Sequence, residues 1–222
     1  MNVRTTIVFS SLALIYLATL PLSPYVAQFL PKALPIGVLA VFAYTKLSAM
    51  PRYMVLAALL FSLAGDVSLA LPFADSFITG LACFFLAHLS YAACFANLNR
   101  HKPKALSSDI ISPNVKWLIS LIIVSFTAAM AGHILPASSS LFYPVVAYIS
   151  VITLMGLTAV WLAQTKLIVT GALLFVISDA ILAQSVFKTP LPLSTFWVMT
   201  TYYGAQYCLT MGLVDAFFKK RE

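Results

Sequence analysis

Two carboxylates stand inside otherwise apolar runs of this chain: Asp66 in ALLFSLAGDVSLAL (58–71) and Asp179 in ALLFVISDAILA (172–183). A charge at the centre of a bilayer costs about 2.5–3.5 kcal/mol on insertion scales, so an acid in such a setting marks a functional site by default. If the two acids share one apolar cavity, both cannot cheaply ionise, and a protonated acid is left beside a carboxylate. That pair suits cleavage through an oxocarbenium-like cation, the logic glycosidases use with one acid and one carboxylate. A vinyl ether is a second substrate of this kind. Protonation of its outer alkene carbon gives the cation, water adds, and the hemiacetal collapses to aldehyde and alcohol. One Asp would donate the proton, and the other would stabilise the cation and orient the water.

Further polar side chains fall in apolar runs: His88, Tyr148, Tyr203 and Gln206, with Lys32 just ahead of one. Each has a plainer use. The two acids could clasp helices together, His88 could be a satisfied core histidine, and Tyr148, Tyr203 and Gln206 could serve packing or interhelical hydrogen bonds. Lys32 could snorkel to the interface. His88, His101 and His133 have no metal-ligand spacing, and no G-x-S-x-G elbow, P-loop or dinucleotide fingerprint is present. Neither a metal nor an organic cofactor is expected. Asp75 and Asp109 read as connector charges and Asp215 as a charge near the basic C-terminal run.

The elements that must hold these groups are apolar helices. Of the 222 residues, 62% are hydrophobic and 9% charged, with a mean hydropathy of +0.99, where a soluble domain is about half apolar and a quarter charged. A helix needs about 17–25 apolar residues to cross a bilayer. Eight runs qualify, roughly 4–21, 33–50, 54–71, 77–97, 116–134, 141–163, 167–187 and 193–217. The connectors between them are short and carry Pro21, Pro24, Pro31, Pro51, Pro72, Pro136, Pro190 and Pro192; only 98–115 is longer and polar. The reading is an all-α membrane protein, a single eight-span domain over 1–222. The three cysteines, Cys83, Cys94 and Cys208, all lie in apolar runs and form no disulfide framework.

Lys and Arg set the orientation. With eight spans, Arg4, Lys46, Arg52, Arg100, Lys102, Lys104, Lys116, Lys166, Lys219, Lys220 and Arg221 fall on one side, and Lys32 and Lys188 on the other. Both termini are therefore expected in the cytoplasm. The net charge of +7 is explained by this basic face, so nucleic acid is not an expected partner. At 1.5 Å per residue, Asp66 lies about 7 Å, Tyr148 about 10 Å and Asp179 about 12 Å from the non-cytoplasmic end. His88, Tyr203 and Gln206 lie about 15–20 Å down. All could line one cavity in the non-cytoplasmic half. The shared ALLF and D-x-x-L-A patterns of the third and seventh spans also suggest a parallel four-plus-four duplication, whose interface is a common place for a ligand site.

The order of short motifs resembles the lysoplasmalogenase family, the YhhN-like eight-span membrane proteins. The matching elements are Lys32-Ala33-Leu34-Pro35, Ala64-Gly65-Asp66 and the run from Phe77 through His88 to Tyr91. They continue with Tyr148 followed by Met155, Gly171 through Ser178-Asp179, and Tyr203-Gly204-Ala205-Gln206. Ala33 departs from the pattern, where proline is expected. The resemblance implies hydrolysis of the alkenyl ether of lysoplasmalogens, with a lysophospholipid and the membrane as partners and no cofactor. It further implies Asp66 and Asp179 as the reacting pair and Lys32 at the phosphate. His88, Tyr148, Tyr203 and Gln206 would position water or hold the acids. The compact loops suggest a bacterial inner membrane. The alternative is a proton-coupled transporter or lipid-handling protein using the same carboxylates.

Overall fold

In a bilayer the chain must satisfy its own backbone N–H and C=O groups, which leaves the helix as the spanning element for segments like these. The computed structural model describes residues 3–100 and 111–218. Among them are eight α-helices and no strand: α1 Val3–Thr19, α2 Phe29–Lys46, α3 Ala49–Ala70, α4 Ser76–Arg100, α5 Pro113–Ile134, α6 Phe142–Thr158, α7 Lys166–Phe187 and α8 Ser194–Phe218. The first seven are long and apolar enough to cross a membrane. The eighth is as long but richer in hydroxyl and amide side chains. Lys102, Lys104, Asp109, His101, Lys219, Lys220 and Arg221 lie outside the described residues.

Every expected span has its helix, with two informative shifts. The second begins at Phe29 rather than 33, so Lys32 sits in the first turn of α2 instead of ahead of it. Pro31 and Pro51, expected in connectors, lie within the first turns of α2 and α3, where a backbone N–H has no intrahelical partner to lose. The sixth span does not run as one α-helix to 163. After Thr158 it widens into a π turn, Ala159–Ala163, and stops at Gln164, whose φ of 60° is left-handed.

The most extensive helix pairs are α3 with α4 and α7 with α8. Each pair is drawn together at a glycine, as membrane helices favour. A Cβ at Gly65 would stand 2.7 Å from the Phe84 ring on α4, and one at Gly171 would stand 2.9 Å from the Leu209 backbone nitrogen on α8. The α2 helix packs on α1, α3 and α8, and α4 packs on α6. The core between them holds Leu39, Leu59, Phe95, Met155, Phe175 and Leu209, all fully buried. Outward faces stay apolar, as with Leu14 on α1 and Leu118, Leu121 and Ile122 on α5. That distribution suits hydrocarbon as solvent, and the protein is an integral multi-pass membrane protein.

Candidate active site

Lys32 lies in the first turn of α2, Tyr148 in the second turn of α6, Tyr202 is the ninth residue of α8, and Asp66 and Asp179 lie within the C-terminal halves of α3 and α7. Together Lys32, Asp66, Asp179 and Tyr202, with Tyr16 of α1, line a cavity of about 330 Å³. The site is therefore assembled from both halves of the chain, and both acids open onto it.

Asp66 is 2% exposed and fully partnered. The Lys32 ammonium is 3.3 Å from Oδ1 and also donates to the Asp66 backbone carbonyl at 3.2 Å. The Tyr202 hydroxyl donates to Oδ2 at 2.6 Å. Lys32 is held in turn from α8, where the Tyr203 hydroxyl donates to its backbone carbonyl at 2.8 Å. A buried ion pair is costly unless further hydrogen bonds support it, and here each Asp66 carboxylate oxygen has a donor.

Asp179 has neutral or titratable neighbours in place of a lysine. The Tyr148 hydroxyl donates to Oδ2 at 2.5 Å. The His88 Nε2 lies 3.2 Å from the same oxygen and 3.1 Å from the Tyr148 hydroxyl, closing a three-membered cluster. His88 is fully buried and packs edge-on against Phe175 with ring centroids 4.5 Å apart. Its Nδ1 has no hydrogen-bond partner among the described residues, so all its polar contacts are to Asp179 and Tyr148.

A second cavity begins at Asp179. It is lined almost entirely by apolar side chains from α3 to α7, with Tyr148 and Asp179 the main polar groups, and measures about 70 Å³. Leu69, Phe77, Phe84, Leu182 and Asp179 border both cavities. Asp179 thus stands where a polar chamber meets an apolar one, a position Asp66 does not share.

Of the residues expected at the site, Lys32, Asp66 and Asp179 line the polar chamber, Tyr148 lines the apolar one, and His88 lies behind Asp179. Tyr203 is not among the residues lining either chamber and reaches the site through its hydrogen bond to the Lys32 backbone carbonyl. Gln206 is fully buried and touches neither acid: its Oε1 accepts from the Tyr91 hydroxyl at 2.5 Å. It lies one helical turn beyond Tyr202 on the same face of α8 and is not among the residues lining the two chambers. Tyr202 and Tyr16 were not singled out from the sequence. Tyr202 shares the chamber side of α8 with Thr195, Val198 and Met199, a side that only the packing of the helix identifies. No group of three or more potential metal ligands occurs among the described residues.

Comparison with known proteins gives a consistent result. The model of the YhhN family matches residues 27–213. The lysoplasmalogenase TMEM86B of Homo sapiens is 35% identical over 188 residues, which are 82% of this chain and 74% of that protein. The lysoplasmalogenase TMEM86B of Sus scrofa is 32% identical over 70% of this chain and 61% of its own length. The lysoplasmalogenase TMEM86A of Bos taurus is 28% identical over 71% of this chain and 64% of its own. The chain thus spans under two thirds of the latter two relatives. No solved structure matches it.

Proposed function

This chain belongs to the YhhN family, and from that membership and the site we propose that it is an alkenyl ether hydrolase acting on lysoplasmalogens. One observation carries the reading: Asp179 lies at the junction of a polar chamber containing Lys32 and Asp66 and an apolar chamber. A single-chain ether lipid has the same division. Its phosphate and glycerol are polar, its alkenyl chain is apolar, and the bond to be broken lies between them.

In this reading the glycerophospho-group occupies the polar chamber. Lys32 has three N–H donors, two of which are engaged by Asp66, and the third is offered to the phosphate. The vinyl ether lies across Asp179. Asp179 gives a proton to the alkene carbon remote from the ether oxygen. The π electrons form the new C–H bond, and the positive charge falls on the carbon bearing oxygen. The Asp66 carboxylate, held by Tyr202 and Lys32, stabilises that cation electrostatically. Water adds to the cation and returns a proton to Asp179. The hemiacetal then expels the glycerol hydroxyl and leaves a fatty aldehyde. Tyr148 and His88 hold Asp179 and share its hydrogen-bonding load. We infer further that both termini are cytoplasmic, that the chambers open in the non-cytoplasmic half, and that α1–α4 and α5–α8 are related repeats.

The test is hydrolysis of a lysoplasmalogen by the purified protein in D2O. The expected product is an aldehyde carrying deuterium on the carbon next to the carbonyl, with the glycerol oxygen retained by the head group. Absence of aldehyde, with solute-dependent proton uptake into liposomes, would support transport instead.

A further inference from the structure

We propose that the groove between α4 and α6 is the portal through which the hydrocarbon chain of the substrate passes between the bilayer and the apolar chamber. This rests on the reading above, that a single-chain ether lipid is bound. The groove measures about 340 Å³ and is lined by Ile78, Ala82 and Leu86 of α4 and by Ala147 of α6, among other apolar residues. Residues 78, 82 and 86 recur every four positions and so form one stripe on a helix. Ala82, Leu86 and Ala147 are exposed on the outside of the bundle.

Two residues, Leu81 and Tyr148, border both this groove and the apolar chamber. The wall between the bilayer and Asp179 is therefore one side chain thick, and Tyr148 in that wall donates its hydroxyl to Asp179. The apolar chamber, at about 70 Å³, has room for only a handful of water-sized groups. A long alkenyl chain whose first carbons lie at Asp179 must leave that chamber, and the groove continues it outward to the hydrocarbon. The two alanines leave the groove outside that wall unfilled, since larger side chains there would project into it.

The experiment plugs the lip in the full-length protein. Ala82→Trp and Ala147→Trp are on the lipid-facing surface and outside the acid clusters. For a hexadecenyl lysoplasmalogen, kcat/KM is expected to fall by about tenfold or more, a loss of uniform binding. Turnover of a butenyl analogue should be unchanged, and Leu121→Trp on the outward face of α5 should change neither. Wild-type kcat/KM on the long substrate in both plugged variants would overturn the portal, as would equal loss on both substrates. A binding readout separates this from failure of the hydrolase reading. A lysophospholipid with a diazirine at its chain end should label 78–86 or 144–147 in the wild-type protein, and excess unlabelled lysophospholipid should compete. Labelling spread evenly over the α5 face, without competition, would reject the portal whether or not aldehyde is formed.

Discussion

Asp66 and Asp179 border the same chamber, but one is fastened to a cation and the other is not. Asp66 is tied to Lys32 and Tyr202, so its charge is matched and its position is set by α2 and α8. Asp179 is bound through a single oxygen to Tyr148 and His88 of α6 and α4, with an apolar chamber at its side. In the proposed mechanism the difference separates two tasks that a pair of like acids cannot both perform. A carboxylate paired with lysine is suited to facing a developing cation, and an acid held only by a hydroxyl and an imidazole is suited to exchanging a proton. Because buried ion pairs are expensive to break, the Asp66 arrangement also carries more of the fold than the Asp179 arrangement does.

Neutralising each acid in turn tests their unequal roles most severely. Asp66→Asn and Asp179→Asn are both expected to lose aldehyde release by about a thousandfold, within the range of a positioned acid or base. Their stabilities should part. Asp66→Asn strands the Lys32 ammonium, a loss of about 3–5 kcal/mol for a broken buried pair, and thermal unfolding in detergent should show it. Asp179→Asn keeps an oxygen for Tyr148 and should melt close to wild type. Equal melting of the two variants would contradict the unequal roles.

Removing a supporting hydroxyl is the next smaller effect. Tyr148→Phe takes a hydrogen bond from Asp179 and should lower kcat about 10- to 100-fold, as expected for a bond to a charged or reacting group, with little change in KM. The glycines sharpen the contrast in packing. Gly171→Ala drives a Cβ into α8 backbone, whereas Gly65→Ala meets only the Phe84 ring. Each should destabilise by about 1–3 kcal/mol, typical of overpacking, with Gly171→Ala the more damaging to the fold. Gly65→Ala displaces a ring that borders both chambers, so it should lose the more activity per degree of melting temperature lost. The smallest effect is expected at Tyr91→Phe, which takes the partner from Gln206. About 0.6 kcal/mol of stability, the average for such bonds between membrane helices, should be lost, with aldehyde release unchanged.

How much of this could be read in advance depends on what sets each feature. The spans were legible because bilayer thickness fixes the length of an apolar run, and Asp66 and Asp179 because hydrocarbon makes an acid conspicuous. His88 and Tyr148 stood out for the same reason, although their joint contact with Asp179 needed α4, α6 and α7 in place. Tyr202 and Tyr203 could not be ranked. Consecutive helical residues point about 100° apart, and the rotation of α8, which decides which ring meets Asp66, is set by packing on α2, α3 and α7. Gln206 could not be placed for a related reason: it shares a face with Tyr202 but lies a turn beyond it, where Tyr91 hydrogen-bonds it. The start of α2 was missed because Pro31 reads as a breaker, whereas a first-turn proline is tolerated. The π turn after Thr158 leaves no mark in the residue pattern of AVWLA.

The most direct test of the unequal acids is a single turnover by Asp179→Asn. The variant is saturated with a lysoplasmalogen, and its affinity is measured alongside with the saturated alkyl ether analogue. Wild-type affinity for the analogue is expected, with no aldehyde in the time the wild-type protein converts all of its bound substrate. Aldehyde formed at the wild-type rate would show that the proton does not come from Asp179 and would overturn the unequal roles of the two acids.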